Sequence, residues 1–141
     1  MRLVVTIGMR ARSARARVLL ASAAAITAVA LAGCGSSKPG YCTDRTSLEN
    51  SVKGLTSASI STLKSQLTQI QSDATALVNS AKSDFPSQTS AISSSVSALK
   101  NSVTALPSNP SATQIATVAK DASNVVSSVK SFTDATSSQC S

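Results

Sequence analysis

Three stretches of the chain repeat apolar residues in alternating steps of three and four. Ile60, Leu63, Leu67, Ile70, Ala74, Leu77 and Ala81 form the first; Ile92, Val96, Leu99, Val103 and Leu106 form the second. The third is Ile115, Val118, Ala122, Val125, Val129 and Phe132. A helix returns to the same face every 3.6 residues, so a 3.5-residue period draws a narrow apolar seam down one side, of the kind that packs against other helices. Three such seams predict an all-α fold, a small antiparallel helical bundle with coiled-coil-like packing. Composition alone suggests something else, because Ser and Thr fill 39 of residues 34–141, the content of a low-complexity stalk. A stalk has no reason to keep the period.

The helix breakers agree with the seams. Pro39 precedes them, Pro86 separates the first from the second, and Pro107 and Pro110 separate the second from the third. Ser111-Ala112-Thr113-Gln114 reads as a capping box opening the last helix, and Thr46-Ser47-Leu48-Glu49 as one opening an earlier, short helix. That short helix carries Leu48, Val52 and Leu55, with Glu49 and Lys53 spaced as an i,i+4 ion pair. It is out of phase with the first seam: Leu55 to Ile60 is a step of five, beside Gly54, which predicts a break at residues 55–59.

Residues 1–33 have a different character. Arg2, Arg10, Arg12, Arg15 and Arg17 come first without an acid, followed by the 15-residue apolar run Val18 to Ala32. A basic stretch before an apolar one is the order of an export signal. The run falls short of the roughly 20 residues that span a bilayer as a helix. No adjacent Arg pair precedes it, which points to general secretion over the twin-arginine route. Met9 is an alternative start, since the segment from it keeps four Arg and the whole apolar run.

The run ends in Leu31-Ala32-Gly33-Cys34, which resembles the lipobox of bacterial lipoproteins. The resemblance implies a diacylglyceryl group on the Cys34 thiol, cleavage just before it, and a lipidated, palmitate-type anchor at the extracytoplasmic face of the cell membrane. In general style the chain also resembles the short lipoproteins of high-G+C Gram-positive bacteria. The expected organisation is a signal peptide at 1–33, a flexible tether at 34–43 and a helical domain at 44–141.

With Cys34 acylated, an odd set of three cysteines becomes one lipid site and one pair, Cys42 and Cys140. In an oxidising compartment that pair is expected to form a disulfide. Were residues 46–84 one helix, it would run roughly 58 Å, and an up-down-up layout would leave the two cysteines at opposite ends. Bonded cysteines have Cα atoms within about 7 Å. An even number of antiparallel segments brings the chain back to its starting end, so the disulfide favours four segments with a short first one.

Function is constrained mainly by what the composition lacks. There is no His, which removes the usual triads, imidazole metal sites and the commonest general base. The acids Asp44, Glu49, Asp73, Asp84, Asp121 and Asp134 show no catalytic or ligand spacing, and no Ser sits in a G-x-S-x-G turn. We therefore expect neither enzyme activity, a metal nor a cofactor. The formal charge of +7 belongs mostly to the leader: residues 34–141 hold seven Lys and Arg45 against six acids. These lysines form no basic stripe, so nucleic acid is not an expected partner.

The expected role is a membrane-tethered, non-enzymatic binding module for an envelope partner. The alternatives are a structural spacer or a carrier of an apolar ligand between the helices. Narrow seams rich in Ala leave no room for a large pocket. Phe132 is expected in the core and Phe85 at a helix end. Tyr41, placed in the tether beside Cys42, is the candidate exposed aromatic for contact with a partner or the membrane interface; otherwise it covers the disulfide.

Overall fold

Four helices follow one another in residues 37–141, the part of the chain that the computed structural model describes. They are α1 (Gly40–Val52), α2 (Ile60–Ala81), α3 (Pro86–Thr104) and α4 (Ala112–Thr136), with a single 3-10 turn, Leu55–Ser57, between α1 and α2. The signal peptide expected at 1–33 and the lipidation site Cys34 lie outside the described residues.

The three seams become the buried faces of α2, α3 and α4. Leu63, Leu67, Ile70, Ala74, Leu77 and Ala81 are buried on α2, and Ile92, Val96, Leu99 and Val103 on α3. On α4 the buried set is Val118, Ala122, Val125, Val129 and Phe132. Successive helices pack as neighbours and α1 closes against α4, so the four form a ring with little contact across its diagonals. The core is the apolar column inside that ring.

Local chemistry explains each boundary. Gly54 takes φ +77°, a left-handed conformation that costs an L side chain about 1–2 kcal/mol and that glycine adopts freely. This turns the chain out of α1 and into the 3-10 turn, where Leu55 is buried. Ser59 caps α2 by accepting from the Thr62 amide at 3.3 Å. Pro86 occupies the first turn of α3, where no amide hydrogen is needed. Ser111 and Gln114 form the complete reciprocal capping box at the start of α4, with Gln114 N–H donating to Ser111 Oγ at 3.3 Å and Ser111 N–H to Gln114 Oε1 at 2.9 Å.

α1 departs from the sequence reading in three ways. It begins at Gly40, after Pro39, so the last residues assigned to the tether are helical. Thr46 lies mid-helix, its hydroxyl donating to the Cys42 carbonyl at 3.0 Å, and caps nothing. Glu49 pairs with Arg45, at 3.6 Å, instead of with Lys53. Lys53 has an extended backbone, ψ 127°, that leads away from the helix, and its ammonium donates to Asn50 Oδ1 at 2.8 Å.

Two seam residues lie outside the core: Ile60, half-buried at the start of α2, and Ile115. Ile115 is 45% exposed, within a run of exposed residues from Ser111 to Thr117. The first turns of α4 lie beside the end of α3, where Gln114 and Thr117 share a shallow pocket with Ser102, Ala105 and the half-buried Leu106.

Candidate functional site

Cys42 and Cys140 are joined by a disulfide with a Cα–Cα distance of 5.4 Å. It ties the first turn of α1 to the chain just past α4. Above it a polar ladder continues along the same pair of helices: Arg45 Nη1 donates to Thr136 Oγ1 at 3.2 Å, and Thr133 Oγ1 donates to Glu49. Thr136 is fully buried, and its own hydroxyl donates to the Phe132 carbonyl at 2.8 Å. The side chains of Arg45 and Glu49 are only 15% and 30% exposed.

The α1–α4 seam thus differs in kind from the others. α2, α3 and α4 meet through apolar side chains, whereas α1 and α4 meet more sparsely and add a disulfide and side-chain hydrogen bonds to the edge contact of Tyr41 with Phe132. Where the ladder ends, the two helices leave an open groove of about 400 Å³. Its floor is apolar, made by Val52 and Val129, both buried, and the half-buried Val126. Glu49, Lys53, Lys130 and Asp134 stand along its sides, and Gly54 and Thr56 close it where the chain turns away. A second groove, about 270 Å³ between α2 and α3, is lined mainly by polar groups such as Gln71, Asn79, Ser93 and Lys100.

Tyr41 is not an exposed aromatic. It is 5% exposed and meets Phe85 and Phe132 edge-on, with ring centroids 5.5 and 6.2 Å away. Phe85 and Phe132 also meet each other, at 5.5 Å. The reason is that α1 extends back to Gly40, which carries Tyr41 from the tether into the core. All three aromatics of the chain therefore form one cluster at the disulfide end of the bundle.

The structure brings Tyr41, Cys42 and Cys140 to the same end, and the groove lies farther along α1 and α4. The sequence reading missed the groove, although one signal was present. Val126 lies beside the seam residue Val125, one position off the three-four pattern, and an apolar residue there widens the face that α4 turns toward α1. Among the described residues no helix is long and apolar enough to cross a membrane. Comparisons with protein families, with curated proteins and with solved structures give no match.

Proposed function

We propose that this chain is a lipid-anchored protein of the extracytoplasmic face of the cell membrane, acting as a non-enzymatic binding module whose binding surface is the α1–α4 groove. The basic and apolar leader and the Leu31-Ala32-Gly33-Cys34 motif support the anchor. The observation that carries the binding role is the groove itself: an apolar floor flanked by charged groups, where the groove between α2 and α3 is smaller and lined mainly by polar residues. Ligand sites combine an apolar lining with a few polar groups that fix orientation.

Photo-crosslinking in intact cells tests this. A photoreactive side chain at Thr56, in the groove, should give a discrete adduct that the same group at the exposed Ser94 on α3 does not. Equal labelling from the two positions, or none from either, would reject the groove as a binding surface and leave the spacer. Mass spectrometry of the mature N-terminus tests the anchor separately, with a diacylglyceryl-modified Cys34 expected and a free thiol excluding it.

A further inference from the structure

The groove contains one cation that forms no ion pair. Glu49 accepts from Thr133 and faces Arg45, and Lys130 donates to both oxygens of Asp134, at 3.1 and 2.9 Å. Lys53 holds only the neutral Asn50 Oδ1. Counting Arg45 behind Glu49, the site has three cations, Arg45, Lys53 and Lys130, against two carboxylates, Glu49 and Asp134. The excess charge therefore belongs to Lys53, at the end of the groove where Thr56 supplies a neutral hydroxyl.

The apolar floor is short. From Val126 to Thr133 α4 advances about 10 Å, and the bridge from Thr133 to Glu49 closes that end. A partner helix is itself about 10–12 Å across and docks through anchors spread over several turns, so a pit of about 400 Å³ is too small for it. A single alkyl chain fits the same space. A phosphate monoester brings close to two negative charges at neutral pH, more than one unpaired ammonium balances next to Glu49 and Asp134. A carboxylate brings one.

We infer that the groove takes an alkyl monocarboxylate, a medium-chain fatty acid, with its chain on Val52, Val126 and Val129 and its carboxylate at Lys53. This rests on the reading of the groove as the binding surface, and it adds the chemical class of the ligand.

The test is an amide NMR titration of the Ser36–Ser141 unit, which holds the whole described core and both disulfide cysteines. Without its acyl chains this unit needs no detergent to compete for the site, and the dispersion of its own spectrum reports that it is folded. The probes are octanoate and octyl phosphate, kept below micelle formation and titrated to about 10 mM, where millimolar affinity is visible, and 1-octanol, titrated to its aqueous solubility limit. Octanoate should give saturable shifts centred on Val52, Thr56, Val126 and Val129, and octyl phosphate should bind more weakly. Lys53→Gln, a change at an exposed residue that keeps the fold, should weaken octanoate about two- to fivefold, the upper part of the range of one exposed ionic contact, and leave octanol unchanged. Val126→Lys should abolish binding of both.

No saturable shift, shifts centred elsewhere, or octanol or octyl phosphate binding as tightly as octanoate would overturn the assignment. Protein adducts from Thr56 in cells together with no octanoate binding would remove this inference alone and leave the binding module standing.

Discussion

Arg45 occupies a core position of α1. Tyr41, Arg45, Leu48 and Val52 step by four, three and four along the helix, the same rhythm as the other seams, with a guanidinium at the second place. Its apolar stem is covered, and its head reaches Thr136 and Glu49, which lets a charged side chain stand where the pattern calls for an aliphatic one. That single residue hides the first half of α1 from an apolar-periodicity reading and leaves Tyr41 looking like part of a tether. Tyr41 is in fact one corner of the aromatic cluster. Tyr41→Ala is expected to destabilise the protein by about 3 kcal/mol, lowering Tm by more than about 10 °C in thermal unfolding. Tyr41→Phe keeps the packed ring and should stay within about 1 kcal/mol of the parent. If the alanine variant melts at the parent temperature, the ring is not packed in the core.

At the scale of elements, the turn at Gly54 ends α1. Its left-handed φ of +77° is the requirement, since an added Cβ would find only Ser57 Oγ, 3.9 Å away. Gly54→Ala should therefore cost about 1 kcal/mol through backbone strain alone, and Gly54→Asn less, because asparagine tolerates this region better. Chemical denaturation should show the difference as a lower midpoint at unchanged m-value; equal midpoints for glycine and alanine would mean that the turn takes another conformation in solution. Most of this level was legible in advance. The three seams, the prolines between them, the break beside Gly54 and the Ser111–Gln114 cap are all written in residues close together in the chain. What was not legible depended on distant partners. Thr46 and Glu49 have the spacing of a cap, but helix packing places Thr133 and Thr136 opposite α1, and the helix starts two turns earlier. Ile115 keeps the period and is still exposed, since periodicity records a face and not whether a partner covers it. The groove was hidden for the same reason: its walls are 70 or more positions apart in the chain.

At the scale of the whole molecule, the ring of helices is closed at its weakest seam by a covalent bond. α1 has 13 residues, near the length at which an isolated helix is marginal in water, and its contact with α4 is sparse. The disulfide spans a sequence separation of 98, for which loop-closure entropy gives roughly 4–5 kcal/mol, and loss of a native disulfide from a small domain typically costs about 2–5 kcal/mol. Reduction, or the Cys42→Ser and Cys140→Ser double variant, is thus expected to lower Tm by at least about 10 °C. The loss should also be uneven. α2, α3 and α4 share continuous apolar seams that do not depend on the bond, whereas α1 relies on it, on the Arg45 and Glu49 bridges and on its packing against α2. Hydrogen exchange under native conditions should show the amides of Cys42 to Val52 losing protection first in the reduced protein, while those of α3 and α4 keep most of theirs. Because the groove needs α1 as one wall, octanoate binding should disappear along with that protection. A uniform loss across all four helices would show that the bundle unfolds as one unit and that α1 has no separate opening, and an unchanged Tm would show that Cys42 and Cys140 are not bonded in the folded protein.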